Sequence, residues 1–210
     1  MLPTLLQEYI VDTYHPQMLL LHGSRARGKN TPQSDWDMLM IPSGNSPTTV
    51  QPFSFMHYSI DIQSLTDISF SKSPSLIPYF AQGILIIDKE QIGEKLQEEA
   101  QELYNLGPKE LNPADYALRK TFYERCLARL EDNRHNPMIF HYRFGALYER
   151  IFRYWFEIRR EWSLPIYEAL PYIEKADTRF FEMAQDIILT TDLEKKIYYA
   201  KAIHQHLFRR

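Results

Sequence analysis

The chain has a single cysteine, Cys126, in 210 residues. That excludes an intramolecular disulfide and a cysteine-based zinc site. Cys126 lies in Tyr123-Glu124-Arg125-Cys126-Leu127, a helix-like context that predicts a buried, inert thiol. Positive charge is not in excess either, since 24 Lys and Arg against 27 Asp and Glu leave a net charge of −3. A dedicated duplex binder carries a more basic balance, so nucleic acid is not an expected partner. No apolar run approaches the roughly 20 residues that span a bilayer. The segment from Met1 to Tyr14 contains Glu8 and Asp12 and lacks the basic start of a secretory leader. These absences predict a cytoplasmic protein with no membrane partner. Internal repeats and low-complexity tracts are absent as well.

What is present centres on His22-Gly23-Ser24-Arg25-Ala26-Arg27-Gly28, followed by Ser34-Asp35-Trp36-Asp37. Apolar Met18 to Leu21 precedes this stretch and Met38 to Ile41 follows it. The pattern predicts a buried strand, a glycine-opened polar turn, and a second strand starting at about Asp35. Side chains alternate along a strand, so Asp35 and Asp37 are expected on one face, with Trp36 and Met38 on the other. Two neighbouring carboxylates repel unless a cation lies between them, and hard oxygen donors suit Mg²⁺ or Mn²⁺. Backbone N–H groups of the Gly-Ser turn, its hydroxyl and the nearby cations are suited to phosphate.

Leu2, Leu5, Leu6, Tyr9, Ile10 and Tyr14 recur at helical spacing. The stretch from Pro42 to Pro47 is loop chemistry. Within the run from Phe53 to Leu65, the segment Tyr58 to Gln63 alternates, placing Ile60 and Ile62 in the core and Asp61 opposite them. Broken helix is expected over 66–82, a short buried strand over 83–88, and a helix over 90–106 that Gly107-Pro108 stops. Gly107-Pro108 is the expected boundary between domains 1–107 and 108–210. Beyond it, Asn112-Pro113 and Asn136-Pro137 are helix-opening pairs, and Asp192 caps a last helix. Shorter helical pieces between them complete a bundle of four or five helices. The fold class is thus a mixed α/β (α+β) sheet domain followed by an all-α bundle.

Gly23-Ser24-x-Ala26-Arg27-Gly28, then Ser34-Asp35-x-Asp37 after a ten-residue spacer from Ser24 to Asp35, resembles the signature of the DNA polymerase β-like nucleotidyltransferase superfamily. The likeness is greatest to the branch holding kanamycin nucleotidyltransferase and the minimal MNT-type proteins. This resemblance implies a palm-like catalytic sheet and makes Asp61 the third acid beside Asp35 and Asp37. It also implies two Mg²⁺ ions (Mn²⁺ as an alternative) held by those three acids, with an NTP, ATP foremost, as donor. Gly23 and Ser24 would bind the β- and γ-phosphates, and Arg27 is the cation that fits the motif best. Arg25 and Lys29 read equally as phosphate ligands or solvated loop cations, and Ser34 as a phosphate-side residue or a brace for the turn. Bulky Trp36 stands where the family often has a small or aliphatic residue.

The resemblance further implies transfer of a nucleoside monophosphate to a hydroxyl of an unknown small-molecule or protein acceptor. In the aminoglycoside-modifying branch a glutamate of the helical domain is the general base. Glu124 is the candidate here and Glu149 its rival, and both also read as ordinary surface residues. The helical half would serve acceptor binding or dimerisation. Its row of Phe140, Tyr142, Phe144, Tyr148, Phe152, Trp155 and Phe156, interleaved with Arg143, Arg150 and Arg153, reads first as bundle core or homodimer interface. A single-stranded nucleic-acid surface is the lesser reading. The alternative functions are an MNT/HEPN-like toxin–antitoxin component and a nucleotide-binding regulatory protein that acts through a partner.

Overall fold

A computed structural model describes residues 2–44 and 49–209. The chain divides into two compact units, Met1–Leu106 and Gly107–Arg210. The first is a five-stranded mixed sheet with helices, and the second is entirely helical.

In the first unit α1 (Thr4–Tyr14) leads into β1 (Pro16–Leu21) through His15, whose left-handed conformation closes the helix. A short α2 (Gly23–Ala26) connects to β2 (Trp36–Pro42). Pro42 thus ends a strand instead of opening a loop. Ser43 and Gly44 follow outside any strand or helix, and Asn45 to Pro47 of the expected loop lie outside the described residues. The run from Phe53 splits into β3 (Phe53–Phe55) and β4 (Tyr58–Ser64), because Met56 takes a positive φ of 54° and turns the chain. Broken helix follows, as a single 3₁₀ turn at Pro74–Leu76 and α3 (Ile77–Gln82). Then come β5 (Ile84–Asp88) and α4 (Ile92–Leu106).

The sheet order is β3-β4-β2-β1-β5, with β2 and β4 parallel and the other neighbours antiparallel. Alternation gives it two different faces. Leu19, Leu21, Trp36, Met38, Met40, Ile60 and Ile62 turn to one side and pack with Leu6 and Ile10 of α1 and with Leu2 just before it. Each fully buried Leu or Ile contributes about 1.5–3 kcal/mol there. Met18, Leu20 and Leu39 are buried on the other face. Helix α4 lies against it so closely that a Cβ on Gly93 would meet a Leu85 methyl at 2.4 Å. β5 was expected to be buried, but it pairs only with β1 and is half-exposed along its length. An edge strand keeps its apolar residues without full cover.

In the second unit Asn112 opens α5 (Pro113–Asp132), its side chain accepting from Asp115 N–H at 2.8 Å. Asn136 opens α6 (Pro137–Arg159) in the same way through Ile139 N–H. Then follow α7 (Ile166–Ala176), α8 (Thr178–Leu189) and α9 (Leu193–Leu207), the last capped by Asp192. Phe140, Phe144, Phe152, Trp155 and Phe156 of α6 are in the shared core, which settles their role as packing. Tyr142 is 85% exposed and takes no part in it. Tyr123 is fully buried and donates its hydroxyl to the Ala200 carbonyl at 3.0 Å, tying α5 to α9. Asp177, between α7 and α8, gathers Trp155 Nε1 (3.0 Å), His206 Nε2 (2.8 Å) and the Arg159 guanidinium. That one carboxylate ties α6 and α9 to the junction of α7 and α8. Among the described residues no helix is long and apolar enough to cross a membrane.

Candidate active site

The site begins with the parallel register of β2 and β4. Asp37 stands opposite Asp61, between the pairs Trp36–Ile60 and Met38–Ile62. Cross-strand partners in register share a face, so burying the four apolar residues on one side turns both carboxylates to the other. Asp61 is exposed and Asp37 half-buried. Asp35 was expected to open the strand. It lies one residue before β2 and is exposed, while its backbone carbonyl accepts from Arg25 Nε at 3.0 Å.

The three acids share one electrostatic field. Burial pushes the Asp37 carboxyl above its ordinary value, the charges of Asp35 and Asp61 push it further, and Arg27 and Arg25 oppose the shift. Yet among the described residues no three Asp, Glu, His or Cys side chains are drawn together as a metal cage. The donor set nonetheless fits a hard divalent ion, because it is all carboxylate oxygen and its members repel one another.

The turn after β1 closes directly on Asp37. His22 N–H donates to the Asp37 carbonyl at 2.9 Å. Gly23 then adopts φ +72°, and a Cβ there would sit 2.3 Å from Asp37 Oδ2. Only glycine meets both conditions. Ser24 and Arg27 follow, both half-buried, and Lys29 is exposed. The loop folds back through Lys29 N–H to the Ser24 carbonyl at 2.9 Å, with Gly28 at φ +66°.

Arg25 has a structural task that its sequence context does not announce. Its guanidinium donates to the Ser34 carbonyl from Nη2 at 2.6 Å and from Nε at 3.1 Å, and lies 4.1 Å over the Trp36 ring. The arginine therefore clamps the end of the loop to the start of β2. Ser34 braces the same turn, its hydroxyl accepting from Thr31 N–H at 2.9 Å. Trp36 is buried, edge-on to Tyr58 at 5.9 Å.

His22, which adjoins the Gly23 turn, and its neighbour Tyr79 were not anticipated. The His22 ring stacks on Tyr79 of α3, with centroids 4.5 Å apart. Its Nδ1 is buried without a hydrogen-bond partner among the described residues. Burial, helped by the Arg27 charge, pulls its pKa down to about 4, so the ring is neutral at physiological pH. His22 adjoins Gly23 in sequence and could have been suspected for that reason. Tyr79 arrives from a segment with no readable pattern. Glu124 belongs to the helical unit, where its exposed carboxylate lies 3.4 Å from His204 Nε2 of α9. Glu149 is exposed on α6.

No family model and no curated protein matches the chain. Among solved structures, a nucleotidyltransferase-like protein from Exiguobacterium sibiricum 255-15 is similar over 98% of this chain and 72% of its own, at 15% identity and a TM-score of 0.49. A toxin–antitoxin structure with AMP-PNP is similar over 48% of this chain and 84% of its own, at 15% identity and a TM-score of 0.32. Neither likeness points to the kanamycin nucleotidyltransferase branch. Both are too loose to carry chemistry across, so the functional reading stands on the chain's own residues.

Proposed function

We propose that this chain is a divalent-metal-dependent nucleotidyltransferase. It would move a nucleoside monophosphate from an NTP to an acceptor hydroxyl and release pyrophosphate. The observation that carries the reading is the in-register pair Asp37–Asp61 with the Gly23 turn closed against Asp37. Asp35, Asp37 and Asp61 would hold Mg²⁺, the group that offsets phosphate charge and lowers the pKa of a bound hydroxyl. Ser24, Arg27 and Lys29 would engage the phosphates of the donor, with N–H groups of the Gly-Ser turn beside them. Arg25 and Ser34 act by holding that loop in place, which keeps the turn aligned with the acids. In the step itself, the acceptor oxygen bonds to the α-phosphorus, the bond to the bridging oxygen breaks, and pyrophosphate leaves. Glu124 remains the proposed base for the acceptor proton.

The test supplies ATP, GTP, CTP and UTP labelled at the α-phosphate, with Mg²⁺, to the purified protein and fractionated lysate. Asp37→Asn serves as the control. Label passing to a small molecule or a protein with wild type alone supports transfer and identifies the acceptor class. Absence of transfer in every fraction, with nucleotide binding intact, overturns it in favour of a nucleotide-binding regulator.

A further inference from the structure

The middle of α6 carries a glycine, Gly145, where glycine costs about 1 kcal/mol of helix stability relative to alanine. Packing does not require it, because a Cβ added there would meet nothing within 4 Å. Gly145 instead lines a cavity of about 420 Å³ within the helical unit. That volume lies in the range of small-molecule sites, roughly 300–1,000 Å³. Buried Phe152, Phe156 and Ala169 line it, together with half-buried Tyr148 and Leu164 and exposed Ile166.

Two charged residues of α6 also line this cavity, Glu149 and Arg153. They are spaced to pair with each other one turn apart. However, Arg153 Nε lies 3.7 Å from Glu157 Oε1. Glu149, exposed at the mouth of this space, is thereby left without an ion-pair or hydrogen-bond partner among the described residues. With the Arg153 cation of the same lining engaged by Glu157, an aromatic-walled space that keeps an unpaired, exposed carboxylate favours a flat apolar body that bears a positive charge.

We propose that this cavity binds a small organic cation, an aromatic or cyclic amine, with its apolar body on Phe152 and Phe156 and its ammonium at Glu149. The absent side chain at position 145 opens the space it occupies. The site stands independently of the chemistry proposed for Asp37, and its ligand need not be a substrate.

The experiment titrates the full-length protein by calorimetry with 2-(aminomethyl)naphthalene and, separately, with 2-naphthoate, a matched anion. The amine is expected to bind at least about tenfold more tightly, a difference of ~1.4 kcal/mol. Glu149→Gln should bring the two probes to within about threefold, ~0.7 kcal/mol. Gly145→Leu fills the cavity while improving helix propensity, so it should abolish binding without lowering the melting temperature. Equal affinity for amine and naphthoate in wild type, no binding of the amine, or undiminished binding to Gly145→Leu each overturns the proposal. Should Gly145→Leu fold poorly, the response of Glu149→Gln decides alone.

Discussion

Gly23 and Asp37 are fitted to each other: any Cβ at position 23 would lie 2.3 Å from Asp37 Oδ2. The glycine also holds φ +72°, which costs other L-residues about 1–2 kcal/mol. Gly23→Ala is therefore expected to displace the Asp37 carboxylate or the turn. Mg²⁺-dependent nucleotide binding should fall at least tenfold and stability by about 2 kcal/mol. Titration with a fluorescent ATP analogue and a thermal melt read the two effects.

Asp37 is an acid whose charged form is disfavoured by burial and by its neighbours Asp35 and Asp61. Its folded pKa lies above the unfolded one, so the folded chain binds the proton more readily. Stability from this group is present at low pH and declines as pH rises through the folded value. Asp37→Asn removes the penalty and should raise stability at neutral pH, read as a higher Tm. The same variant should lose activity, and Mg²⁺ should raise the Tm of wild type more than that of the variant. A variant stabilised by Mg²⁺ as strongly as wild type would count against the carboxylates as the ion's ligands.

His22 titrates in the opposite sense. Its folded pKa of about 4 lies below the ordinary 6.5. Between those values the unfolded chain is protonated and the folded one is not, so stability falls as pH drops from 6.5 towards 4. The loss is on the order of 3 kcal/mol. His22→Phe keeps a ring against Tyr79 without a titrating group, and its stability should change less over that interval. Urea melts of both proteins at intervals of half a pH unit would show it.

In the helical unit the Asp177 carboxyl is pushed up by burial. Hydrogen bonds from His206, Trp155 and Phe180 N–H outweigh that push, and the net pKa is lowered. Its contribution is complete above the unfolded value of 3.8 and is lost as pH falls through the lower folded value. Asp177→Asn leaves the Arg159 guanidinium without its partner and should cost about 3 kcal/mol at neutral pH. Chemical denaturation followed by tryptophan fluorescence would measure it, since the Trp155 indole itself donates to Asp177.

The features legible in the sequence are the locally determined ones. Asn112, Asn136 and Asp192 cap helices within three residues of themselves, so their function is written in adjacent letters. Alternation in β4 placed Ile60 and Ile62 in the core for the same reason. By contrast, the Asp177 junction joins residues 18, 22 and 29 positions away. The His22–Tyr79 stack likewise depends on where α3 comes to rest. Arg25 is intermediate. Its carbonyl partners Ser34 and Asp35 are nearby in sequence, but a Gly-Ser motif draws attention to phosphate and away from loop bracing. β5 was misjudged as buried because its apolar run reveals nothing of its place at the edge of the sheet.

The solitary thiol of Cys126 has a practical consequence. It is half-buried on α5, and burial raises its pKa against the opposing pull of Arg150, Arg129 and Arg143. Thiol reagents attack the thiolate, so modification of the closed helical unit should be slow and confined to one position. The labelling rate, followed by mass spectrometry, would serve as a clock for the opening of that unit.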